Sequence, residues 1–235
     1  MFTKKEFTWL VIVIIIFEFI IALGFDSKTG YLILDLTRPQ KFLVPLLIIF
    51  VSVIAKKIAA PHYNIKIEHS GWKIQRFGYY SRSAFKKPFP LGIVLPFFLA
   101  FFSLSFVRPL TFLQFDVEDE PRKRIQKRYG DIKFRKVYIN ESDLNLTAFW
   151  GFFSLIGLSI LGIIINIYLH SINPTHYKDI WNIKELAFYP IWFCFWNLVP
   201  WENLDGLKVF IGNFFTWIFL VAISFIVLIL AFALV

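Results

Sequence analysis

Apolar residues along this chain fall into long runs separated by short charged segments. Crossing the roughly 30 Å hydrocarbon core of a bilayer takes about 20 mostly apolar helical residues. Residues 7–25 (FTWLVIVIIIFEFIIALGF) meet that length with Glu18 inside the run. Residues 41–60, which include Lys56 and Lys57, and residues 146–169 and 209–235 meet it too. Residues 186–201 form a shorter run, broken by Pro190 and Pro200. Two other stretches, YNIKIEHSGWKIQRFGYY and GDIKFRKVYI, alternate apolar and polar residues and read as strands.

One run is ambiguous. Residues 89–107 (FPLGIVLPFFLAFFSLSFV) either cross the membrane or dip into it and return, with Pro90, Gly92 and Pro96 as breakers. Residues 56–88 carry eight Lys or Arg and residues 108–145 carry nine. A crossing would put these two basic segments on opposite sides, against the positive-inside tendency, whereas a re-entrant path makes both cytoplasmic. The pattern therefore predicts a mainly α, polytopic membrane protein of five to six transmembrane helices, residues 89–107 being the sixth or, in the five-span reading, a re-entrant segment, with a small β-rich cytoplasmic insertion. Residues 1–25 hold the first span. Residues 41–235 form the membrane core, with 61–145 a basic strand-rich region that contains 89–107.

Composition agrees with that class: of 235 residues, 57% are hydrophobic and 17% charged, and the mean hydropathy is +0.63. The formal charge of +9 lies mostly between the apolar runs, which points to topology and anionic lipid head groups and away from nucleic acid. The basic N-terminus resembles a signal peptide but lacks a small-residue cleavage site, so the first run reads as a retained span with a cytoplasmic N-terminus. The lone Cys194 excludes an internal disulfide or a Cys-rich metal site and reads as apolar filler. Sequons at Asn140 and Asn145 would be glycosylation acceptors only with that loop facing outward, and so test the topology. The segment EDEPRKRIQKR joins an acidic to a basic block, a solvated loop or a docking surface. Trp181, Trp192, Trp196 and Trp201 read as interfacial and packing residues. Ile, Phe and Lys richness is compatible with an archaeal or AT-rich bacterial source, and the expected location is the cytoplasmic (plasma) membrane of a prokaryote.

Candidate chemistry concentrates in NLVPWENLDGLKVF, where Asn197, Pro200, Asp205 and Gly206 interrupt the apolar sequence. A charge at bilayer depth costs about 3 kcal/mol on insertion scales and marks a site or a partner. The spacing Asn-x-x-Pro-x-x-x-x-Asp-Gly resembles that of the site-2 protease family of intramembrane zinc metalloproteases. In that family this Asp is the third metal ligand. Gly151 matches the Gly of the family's Gly-Pro helix, with Phe152 in place of the Pro. The family also needs His-Glu-x-x-His, two zinc ligands one turn apart and a general base, and no such motif occurs here. At its expected place the chain reads SVIAKKIA, which sets Ser52 at the first His, Val53 at the Glu and Lys56 at the second His. The resemblance thus implies a degenerate, catalytically inactive member with no metal and no cofactor. His62, His69, His170 and His176 lack helical ligand spacing and read as solvent-facing or capping residues.

Lys56 at a former ligand position suggests an interhelical salt bridge to Asp205 in place of the metal. Alternatively Lys56 snorkels, and Asp205 pairs with Lys208 or caps its helix. Glu18 is flagged as a membrane-embedded acid. The leading functional expectation is a pseudoprotease acting as a structural subunit or adaptor among other integral membrane proteins. The alternatives are an active intramembrane metalloprotease with an unorthodox metal site, and a transporter or channel-like subunit.

Overall fold

The computed structural model describes residues 2–25, 32–34, 40–63, 65–76, 84–117, 123–128, 131–136, 140–172 and 184–234. Helix α1 (Lys4–Ala22) starts at the N-cap Thr3, whose hydroxyl accepts the Glu6 amide at 3.1 Å. Val13, Ile16, Phe17, Ile20 and Ile21 form its buried stripe, while Phe7, Val11 and Ile15 are exposed, so both faces are apolar. Strands β1 (Leu23–Phe25) and β2 (Leu32–Leu34) pair antiparallel after it. The first expected run therefore stops being helical at Ala22. Helix α2 (Gln40–His62) buries Val44, Ile48, Ile49, Ser52, Val53 and Lys56 along one face.

Strands β3 (Ile67–Gly71), β4 (Ile74–Arg76) and β5 (Ala84–Phe89) lead to α3 (Leu91–Phe102), and β6 (Leu113–Val117) follows. β3 pairs antiparallel with β6, with His69 opposite Phe115, and β4 pairs with β5. Strands β7 (Lys123–Arg128) and β8 (Asp131–Lys136) form a further antiparallel pair ahead of α4 (Glu141–Ile172). Then come α5 (Lys184–Asn197), α6 (Asp205–Gly212) and α7 (Phe214–Leu234).

With twelve residues, α3 is about 18 Å long, short of the roughly 30 Å of a bilayer core. The chain reverses after it through Leu104 and Ser105, both left-handed at φ 51° and 68°. There the Ser105 hydroxyl donates to the Leu23 carbonyl at the end of α1, at 2.7 Å. At the other end, the Gly92 amide donates to the Trp72 carbonyl at 3.0 Å and the Trp72 amide to the Phe112 carbonyl at 2.8 Å. A Cβ on Gly92 would stand 2.8 Å from the Phe112 oxygen, so only glycine lets the two ends of this segment meet over Trp72.

The return path through residues 106–112 has neither helix nor strand, and several of its carbonyls are taken by donors from elsewhere in the fold. Trp192 Nε1 donates to Arg108 O at 2.9 Å, Asn197 Nδ2 to Leu110 O at 2.8 Å, and the Trp72 amide takes Phe112 O. Leu110, Thr111 and Phe112 are buried.

Among the described residues three helices are long and apolar enough to cross a membrane: α2 from Leu43, α4 and α7. The expected last run of residues 209–235 is not one helix. α6 ends at Gly212, and the extended Asn213 caps α7 by accepting the Phe215 and Thr216 amides at 3.0 and 3.2 Å. α4 and α5 cross closely, since a Cβ on Gly162 would lie 2.8 Å from the Ala187 backbone.

Candidate functional site

Lys56 points inward from α2 and is 4% exposed. Its stem lies on Gly151 of α4, where a Cβ would come within 2.8 Å of Lys56 Cγ. The ammonium donates to Asp205 Oδ2. Asp205 opens α6 and is 2% exposed; the N-cap is Leu204, so the carboxylate does not cap this helix. Lys208, one turn on, places its Nζ 3.6 Å from Asp205 Oδ1 and donates to the Phe115 carbonyl. Both ammoniums lie over the Phe115 ring, Lys208 at 3.5 Å and Lys56 at 5.8 Å from its centroid.

The backbone around Asp205 is built for this approach. Asn197 ends α5 and donates through Nδ2 to Phe193 O and Leu110 O, both at 2.8 Å. Pro200 lies exposed in the turn that follows. Trp72 Nε1 holds the turn by donating to Glu202 O at 2.7 Å, and Asn203, left-handed at φ 62°, donates to Lys73 O at 3.1 Å. Gly206 then sets α6 directly on the end of α5, where a Cβ would meet the Asn197 carbonyl oxygen at 2.6 Å.

The zinc that active members of the site-2 protease family hold does not fit these residues. Lys56 occupies the Asp205 carboxylate with a positive charge. Ser52 and Val53 are buried on the same face and bring no thiolate, imidazole or carboxylate. Among the described residues no three His, Cys, Asp or Glu side chains converge as a metal-binding group.

Sequence reasoning missed a second half of the cluster. Glu6, fully buried at the start of α1, accepts at Oε1 from the His69 amide at 3.0 Å and from His69 Nδ1 at 2.8 Å. Its Oε2 accepts from Lys57 Nζ at 2.7 Å, and Lys57 also donates to Ile67 O at 3.2 Å. Glu6 and Lys57 thus satisfy the free edge of β3 as a neighbouring strand would, while Lys208 takes Phe115 O on β6.

His69 is therefore neither solvent-facing nor a cap: it is 1% exposed, because Glu6 supplies the acceptor its burial requires. Burial pushes its imidazole below the ordinary pKa, with the Lys56 charge acting the same way and Glu6 and Asp205 acting in opposition. The neutral ring carries its proton on Nδ1, facing Glu6, and its buried Nε2 has no partner among the described residues. Its ring lies 6.4 Å from that of Phe115, which joins the two halves into one cluster of Glu6, Lys56, Lys57, His69, Asp205 and Lys208.

The other candidates lie apart from it. Glu18 buries one carboxylate oxygen without a partner among the described residues. Cys194 is buried, its Sγ 3.5 Å from Ser224 Oγ. His62 is exposed at the end of α2, and His170 lies in the last turn of α4. His176 and Trp181 fall outside the described residues. Asn140 is exposed, whereas Asn145 is buried in α4, where this fold leaves no room for a glycan.

Comparison with protein-family models, with curated proteins and with solved structures finds no match to this chain. Fold and site themselves define a mainly helical protein, with three helices among the described residues fit to cross a membrane, whose interrupted segment is tied to α2 by a buried ion pair.

Proposed function

We propose that this chain is a non-catalytic, site-2-protease-like membrane protein, a pseudoprotease that serves as a structural subunit or adaptor within a larger membrane protein complex. In this reading α1 and α5 join α2, α4 and α7 as crossings, α3 is re-entrant, and the N-terminus is cytoplasmic. The observation that carries the reading is the buried Lys56 to Asp205 pair. In the register read from the sequence, its ammonium stands where the family's motif has a metal-binding His, next to the carboxylate that would be the third ligand. The pair links α2 to the Asp-bearing turn without metal, keeping the scaffold while removing the chemistry. A binding role also accords with the exposed aromatic surface that includes Phe101, Phe102, Phe106, Phe215 and Phe232.

Purification of the full chain from its own membrane, with zinc quantified and co-purifying proteins identified, tests this. The expected result is zinc far below one equivalent and an intact integral membrane partner. Stoichiometric zinc that is lost in Asp205→Ala, together with cleavage of a membrane substrate, would overturn it.

A further inference from the structure

The inner face of α2 closes the charge cluster, but its outer face is open. Ala55 and Ala59 of α2 and Ser154 of α4 form the floor of a groove of about 640 Å³. Ile58 and Phe153, both exposed, form its walls. At one end Trp150 Nε1 donates to the Tyr63 hydroxyl at 3.1 Å, beside the exposed His62. The groove is thus apolar along its length and closes at an amphipathic aromatic pair, the side-chain type that settles at head-group level.

We propose that this groove holds an acyl chain of an anionic phospholipid, with the phosphate at the His62 end. Two observations select this occupant. From Ala55 to His62 the groove follows only about 10 Å of helix, enough for part of a lipid chain but a third of what a crossing partner helix would line. The charge is also complementary: β7 and β8 carry seven Lys or Arg against one Asp, and only four residues separate them from α4, one wall of the groove. A polybasic element next to a spanning helix attracts anionic head groups. The inference rests on α2 and α4 crossing the membrane, not on the pseudoprotease reading.

Native mass spectrometry of the detergent-purified full chain tests it, with phosphatidylglycerol and phosphatidylcholine of equal chain length as probes. The wild type is expected to retain phosphatidylglycerol about tenfold better, a difference of about 1.4 kcal/mol. Ser154→Leu, which fills the floor, loses both lipids. Neutralising β7 (Lys123→Gln, Arg124→Gln, Lys127→Gln, Arg128→Gln) removes the preference but keeps the chain-dependent retention. Ala55→Leu, on the facing helix, serves if Ser154→Leu fails to fold. Equal retention of the two lipids by the wild type overturns the proposal. So does unchanged retention in a filled variant whose Tm matches wild type, or loss from that variant of a co-purifying protein in place of lipid. None of these readouts depends on zinc or on a partner complex.

Discussion

At Lys56 an ammonium meets a carboxylate with both side chains almost sealed from solvent, so their worth lies in being together. Removing one member of such a pair strands the other, at about 3–5 kcal/mol, whereas an apolar replacement of both is often neutral. Lys56→Met and Asp205→Leu should each lower stability by about that amount, and the double variant should recover most of it. Unfolding in detergent checks this, and a double variant no better than the worse single would mean that the two residues do not act as a pair. Lys208, 3.6 Å from the other carboxylate oxygen, makes Lys56→Met the milder single. Lys56 and Asp205 were legible in the sequence because each stands out in apolar surroundings. Glu6 and His69 were not. Thr3-x-x-Glu6 has the form of a capping box, and Thr3 does accept the Glu6 amide, but the carboxylate turns away to His69, 63 residues along the chain. A local pattern cannot encode that choice.

Among the elements, hydropathy located α1, α2, α4 and the strands near them, since long runs and strict alternation are strong signals. It passed over the division between α6 and α7, because one Asn in a 27-residue apolar run scarcely changes a hydropathy average; only the capping chemistry of Asn213 marks the break. β3 was also found without its neighbours, since its outer edge is completed by side chains from two helices. That edge gives β3 a pH dependence. The unfolded chain takes up the His69 proton near pH 6.5, the folded chain only at lower pH. In that window unfolding binds a proton, so stability rises with pH and is lost as pH falls below about 6.5, by at most about 1.4 kcal/mol per unit. Apparent Tm in detergent between pH 8 and 5 should show this limb. His69→Asn, whose amide can still donate to Glu6, should flatten it, and an unchanged limb would assign the proton to another group.

Across the whole molecule, Gly92 and Phe112, on either side of the α3 excursion, meet over Trp72 while the turn at Ser105 reaches the end of α1. A re-entrant path requires Lys86→Cys, ahead of α3, and Glu141→Cys, at the start of α4, to react with an impermeant thiol reagent from the same side. His170→Cys, at the far end of α4, should react from the other, each measured in Cys194→Ser. Labelling of positions 86 and 141 from opposite faces would make α3 a crossing. The return path through residues 106–112 also bears on synthesis. Its Arg108 and Leu110 carbonyls are taken by Trp192 and Asn197, 84 and 87 residues downstream. At roughly 5–20 residues per second those donors leave the ribosome about 4–17 s after the acceptors they serve. The nascent chain must therefore keep this stretch out of the lipid, or sheltered within the insertion machinery, until α5 arrives to complete it.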